Sequence, residues 1–111
     1  MALLTEKETI LFLVYYKPNC NFLDIKKDLL KCDYKSRKEE SRDEGRLYKN
    51  LNELIVDQKF IAAAVPARGS GATKYSLTKE GKKAADDKFV DLRKNEKNAK
   101  RFEQFYYAIT H

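Results

Sequence analysis

The chain has 111 residues, 42% hydrophobic and 12% aromatic, which is enough for one packed core and too little for two. Seven Tyr and six Phe exclude a disordered polyelectrolyte, although 36% of the residues are charged. The net charge of +6 favours partners that carry phosphate, either nucleic acid or anionic lipid, and no polybasic tail supplies it, so any basic surface must be assembled by folding.

Thr5-Glu6-Lys7-Glu8 has the pattern of a capping box, with Thr5 as N-cap and Glu8 reaching back. Ile10, Leu13 and Val14 then mark one buried helix face, and Leu11, Phe12 and Tyr15 widen it. A helix buried on more than one side needs more than one cover, and a second subunit is one way to supply it. The apolar run from Ile10 to Tyr16 is too short to span a bilayer. The N-terminus lacks the pattern of a secretion signal, so the expected compartment is the cytoplasm, or the nucleoid within it. Lys17-Pro18-Asn19 stops the helix, because proline disfavours helical geometry in the residue before it.

Asn21 can cap a second helix over Phe22 to Lys31, with Phe22, Ile25 and Leu29 inward and Lys26, Lys27 and Lys31 outward. Such a helix suits the positioning helix of a helix-turn-helix, or a plain amphipathic surface helix. Cys20 and Cys32 flank it. They could pair if oxidised, but two reduced, partly buried thiols are the expectation in a cytosolic protein. Two lone Cys and a terminal His111 cannot supply the four ligands of a zinc site, so no metal is expected.

A polar connection, Lys31 to Glu40, leads to a third helix that can start at Ser36 or at Ser41, each followed three residues later by Glu. Ser41 is the preferred start. Through Gln58, Leu47, Leu51 and Leu54 recur at four and three with Tyr48 and Ile55 beside them. The opposite face near the N-terminal end carries Arg42, Arg46, Lys49 and Asn50, long donors suited to base edges and phosphates. Gly45 is unfavourable inside a helix by about 1 kcal/mol, which fits either the close approach of another backbone or a kink.

Phe60 to Val65 reads as a strand, Pro66 to Gly71 as a turn, and Ala72 to Leu77 as a second strand with Tyr75 and Leu77 inward and Lys74 and Ser76 outward. Arg68 is the only charge at the tip. It suits a minor-groove or phosphate contact, or an ordinary solvated loop. Thr78 can cap a last helix with Glu80 in its first turn. From Lys79 to His111 the pattern allows one helix of about 30 residues, long by globular standards. Along it Leu92, Asn95, Ala99, Phe102, Tyr106 and Ile109 are spaced 3, 4, 3, 4, 3. That is a heptad-like seam in which Asn95 would fix register, and a symmetric dimer is the expected use of it.

Two stretches resemble PadR-like winged-helix regulators. Gly45-Arg46-Leu47-Tyr48-Lys49-Asn50-Leu51, with Glu53-Leu54 and Lys59-Phe60-Ile61, is similar to their recognition helix and first wing strand. Lys74-Tyr75-Ser76-Leu77-Thr78-Lys79-Glu80-Gly81 is similar to the second wing strand and the start of the last helix, a motif shared widely among winged-helix proteins. The resemblance covers about residues 5 to 85. It departs from the family pattern at Asp43 and Glu44, where small residues or Pro often stand.

The expected fold class is therefore α+β and mostly helical: a single winged helix-turn-helix domain over residues 1–111, with its core at 5–81 and a long C-terminal dimerisation helix at 78–111. The resemblance implies a homodimer on a pseudo-palindromic site in double-stranded DNA. Arg42, Gly45, Arg46, Tyr48, Lys49 and Asn50 would meet the major groove, and Arg68 and Lys74 the flanking backbone. Partition or architectural DNA binding, and a winged helix used for protein contacts, are the alternatives. No phosphate loop or nucleophile–base grouping points to an enzyme, and no cofactor is expected. The residues name no effector.

Overall fold

Helix α1 (Glu6–Tyr16) lies between two sets of elements, and its sequence explains why. Five consecutive residues, Ile10 to Val14, are buried, so no side of the helix in that stretch is left for water. The computed structural model describes residues 3–31, 40–66 and 71–110. It is mostly helical with one small antiparallel sheet. The capping box is formed: the Glu8 N–H donates to Thr5 Oγ1 at 3.1 Å, and the Thr5 N–H donates to Glu8 Oε1 at 2.9 Å. Burial pushes the Glu8 carboxyl up, but the Thr5 N–H and the Lys88 ammonium outweigh it and hold the group below its ordinary value.

Helix α2 (Phe22–Lys31) is reciprocally capped, Asn21 and Asp24 each bonding the other's backbone N–H. Ile25 is buried, and Phe22 and Leu29 pack partly buried against the same cluster. Asp28 is also buried. It pairs at 2.8 Å with Lys17, the residue that ends α1, and so ties the end of one helix to the flank of the next. Cys20, in the short link between them, is buried among apolar side chains that push its thiol up to about 11. Cys32 lies outside the described residues, so the pairing of the two thiols does too.

Helix α3 (Glu40–Asn52) begins one residue before Ser41, which stands inside the helix rather than capping it, while Ser36 lies outside the described residues. It runs on through Gly45 and widens into a π-helical turn, Glu53–Asp57. Leu47, Leu51 and Leu54 are buried as their spacing requires. Strands β1 (Ile61–Ala64) and β2 (Lys74–Leu77) pair antiparallel, with Ile61 opposite Leu77 and Ala64 opposite Lys74. Both are shorter than the sequence pattern suggests, because the pairing ends before Val65 and Thr73. Cys20 bridges the other side of β2 at Tyr75.

The C-terminal third corrects the sequence reading. In place of one long helix there are two of 15 residues each, α4 (Lys79–Arg93) and α5 (Glu96–Thr110). Thr78 caps α4 as expected, accepting from the Gly81 N–H at 3.0 Å. Asn95 is exposed and does not serve as a buried register residue. Its Oδ1 accepts from the Lys97 N–H at 2.9 Å and the Asn98 N–H at 3.2 Å, so it starts α5. An Asn side chain satisfies otherwise unpaired first-turn donors, and here that local gain wins over helix continuation. The other seam residues divide accordingly. Leu92 and Phe102 are buried in one cluster with Leu11, Phe12 and Ala85, and Ile109 in the other with Ile10, Leu13 and Val14. Ala99 is half-buried, and Tyr106 meets Tyr16 edge-on at 4.9 Å. The chain's own helices thus cover the second side of α1.

Strand β1 and α4 meet at one point with no spare room. The Thr78 N–H donates to the Phe60 carbonyl at 2.9 Å, and a Cβ on Gly81 would overlap that same carbonyl oxygen. Lys59, just before, takes a left-handed φ of 57°, and its carbonyl accepts from the Thr78 hydroxyl at 2.6 Å.

Candidate nucleic-acid interface

The inner face of α3 fixes the outer one. With Leu47, Leu51 and Leu54 in the core, the helical period turns Gly45, Tyr48, Lys49 and Asn52 away from it, and all four are exposed. Nothing lies within 4 Å of where a Gly45 side chain would begin. The close approach that Gly45 was expected to permit is therefore not made by any described part of this chain, and the helix is not interrupted there.

Two flanks border this open face. On the α1 side, the Arg46 Nε lies 3.2 Å from Glu6 Oε2, with the arginine side chain 63% exposed and the glutamate 12%. Lys7 pairs with Glu53 on the same side. That contact first, and Lys49 more weakly, hold the Glu53 carboxyl below its ordinary value. Exposed pairs of this kind contribute about 0–1 kcal/mol, so they orient side chains more than they stabilise the fold. On the α2 side, Tyr48 stacks on Phe22 with centroids 4.0 Å apart and planes 9° from parallel. The tyrosine is half-exposed, so one edge remains open to a partner.

The expected contact residues thus fall into three groups. Gly45, Tyr48 and Lys49 share the outward side of α3 with Arg46 at its border, while Asn50 is half-buried nearer the core. Lys74 is exposed on β2, on the hairpin rather than on the helix. Arg42 lies in α3, but its side chain is outside the described ones, and Arg68 lies outside the described residues altogether. The seam residues Leu92, Phe102 and Ile109 are buried within the chain and are not brought to a surface.

Glu6 and Phe22 were missing from the sequence reading of this region. Glu6 was visible only as part of a helix start, and Phe22 only as an apolar position. Neither carries a local signal for its partner on α3, because both contacts form through tertiary packing. Among the described residues no group of three or more His, Cys, Asp or Glu could hold a metal ion, and no helix is long and apolar enough to cross a membrane. No family model matches the chain, and no curated protein or solved structure matches it.

Proposed function

We propose that this chain is a winged helix-turn-helix protein that binds specific DNA sequences as paired copies and regulates transcription by occupying its site. The observation that carries the reading is the outer face of α3: backed by Leu47, Leu51 and Leu54, and exposed at Arg46, Tyr48 and Lys49 among the described residues. An α-helix with long donors on its free face is a fit for the major groove, where Arg and Lys read guanine and Tyr and Lys reach phosphate. The order of elements supports it. A short extended link at Cys20 pairs with β2, α2 and α3 follow it, and the hairpin comes next, an order compatible with a winged helix. Lys74, exposed on the hairpin, would meet flanking phosphates in this reading.

The test is selection of bound duplexes from random DNA, followed by titration of the selected and a scrambled duplex at several salt concentrations. Arg46→Ala should weaken binding to the selected duplex by about 1–3 kcal/mol and relax its sequence preference. Lys82→Ala, in an exposed position of α4, should cost less and equally on both duplexes. No binding at low salt, or equal losses for both variants on both duplexes, would falsify the reading, because contacts to phosphate must weaken steeply with salt.

A further inference from the structure

The first turn of α1 meets α3 through two ion pairs of opposite polarity. Glu6 Oε2 lies 3.2 Å from the Arg46 Nε, and the next residue, Lys7, pairs with Glu53. Arg46 and Glu53 stand about two turns apart along the helix, so both face α1. The turn that carries Glu6 is itself fixed, because the two bonds between Thr5 and Glu8 enclose it. The Arg46 pair is lopsided: the glutamate side chain is 12% exposed and the arginine 63%. An inner carboxylate therefore holds an outer guanidinium at the border of the open face.

The atom that is held decides what the rest of the group can do. Nε lies on the side of the guanidinium, and a carboxylate there leaves the end-on edge, Nη1 and Nη2, for a second acceptor. In the major groove the acceptor that fits two parallel donors is guanine, through O6 and N7. Toward phosphate the arrangement works the other way. An arginine tethered by Nε does not swing freely to the backbone of the duplex, and the carboxylate beside it repels the phosphates. For DNA that lacks the preferred bases, Glu6 is a cost.

We propose that Glu6 is a positioning residue for base readout: it fixes Arg46 end-on toward one guanine of the bound site and withholds it from phosphate. The proposal rests on the reading of α3 as the DNA-facing helix. A surface ion pair adds little to stability. Its effect here is on the orientations that a long arginine side chain must give up when it docks. Holding Arg46 before binding lowers that loss for guanine alone. Glu6 thus raises the ratio of specific to random binding rather than affinity itself.

The experiment takes the duplex selected from random DNA, substitutes each of its positions in turn, and titrates the wild-type chain, Arg46→Ala, Glu6→Ala and Glu6→Gln. Arg46→Ala identifies its base as the guanine whose preference, about 5- to 150-fold, is lost. Glu6→Ala should cut the preference at that same guanine by about threefold or more and leave the other positions unchanged. Its affinity for a scrambled duplex should hold or rise, because a carboxylate near phosphate is gone. A glutamate with a merely structural role would give the opposite, with binding to both duplexes reduced together. If Glu6→Ala disturbs α1 by circular dichroism, Glu6→Gln, of the same shape and without the charge, decides by the same two measures. An unchanged guanine preference in the folded Glu6 variant, or equal losses on both duplexes, overturns the role of Glu6 while the reading of α3 stands. A selected site with no guanine assigned to Arg46 also overturns that role, and a wild-type chain with no sequence preference overturns both.

Discussion

The two sides of α1 are packed with different chemistry. Toward α2, α3 and the sheet it offers Ile10, Leu13 and Val14, which meet Ile25, Leu47, Leu51, Leu54 and Ile61. Toward α4 and α5 it offers Leu11 and Phe12, with Tyr15 and Tyr16 beside them, which meet Phe89, Leu92, Phe102 and Phe105. The first side is aliphatic and holds α3 by interdigitation. The second is held largely by rings: Phe12 meets Phe102 edge-on at 5.0 Å, and Phe89 meets Phe102 at 5.3 Å. Edge-to-face pairs add about 0.5–1.5 kcal/mol each beyond the area they bury. The lesson concerns α5. Phe102 and Phe105 look on paper like part of a surface reserved for another chain, yet they close the far side of this one, while Tyr106 and Tyr107 stay exposed.

The largest test of that division is truncation on each side. Phe12→Ala should cost about 3–5 kcal/mol and Leu51→Ala about 2–5 kcal/mol in urea unfolding. The comparison is sharpened by where the loss is felt. Phe12→Ala should lower amide protection first in α4 and α5, and Leu51→Ala first in α3 and the sheet. Identical protection patterns in the two variants would break the distinction.

Alkaline pH probes the two sides with native groups. Burial pushes the Cys20 thiol up to about 11 from 9.0, and burial first, then neighbouring Tyr15 and Tyr106, push the Tyr16 hydroxyl up to about 12 from 10.0. Both groups are held in their neutral, protonated forms by the fold, so their contribution to stability is full below the unfolded values. That of Cys20 is lost between about pH 9 and 11, and that of Tyr16 between about pH 10 and 12. Cys20→Ser should remove the earlier phase of alkaline unfolding, monitored by circular dichroism, and leave the later one. An alkaline profile unchanged by Cys20→Ser would contradict the buried placement of the thiol.

The smallest effect belongs to the joint between α4 and α5. Asn95→Ala removes the acceptor for two N–H groups and should cost about 1 kcal/mol. If Asn95 instead marked a seam in a paired helix, the same change would stabilise an oligomer, and thermal denaturation at two protein concentrations tells these apart.

Local signals in the sequence held at three helix starts and failed at Ser41, whose capping pattern lies inside α3. Thr5 with Glu8, Asn21 with Asp24 and Thr78 with Gly81 are bonds between residues a few positions apart, and each cap forms where its pattern lies. Leu47, Leu51 and Leu54 likewise need only the helical period. Asn95 failed because two local patterns compete there. A heptad spacing and a helix start both read well, and the packing of Phe102 on Phe12 decides between them. In the candidate interface, the outward position of Lys49 followed from the period. The ion pair of Arg46 with Glu6 and the stack of Tyr48 on Phe22 did not, because they join segments whose relative placement no local pattern encodes.

The sequence offers Gly45 as a place for the close approach of another backbone or for a kink, yet among the described residues the glycine that backbone presses against is Gly81. Gly45 has open space around it, and Gly71 is constrained only by its left-handed φ of 100°, while any side chain at Gly81 must displace the Phe60 carbonyl that also receives the Thr78 N–H. Seen as a matter of sequence drift, these positions are unequal. The surface of α3 can change its letters and read another site, but position 81 has only one letter available. Among diverging descendants of this chain, it would be the fixed point by which their hairpins and last helices could still be aligned.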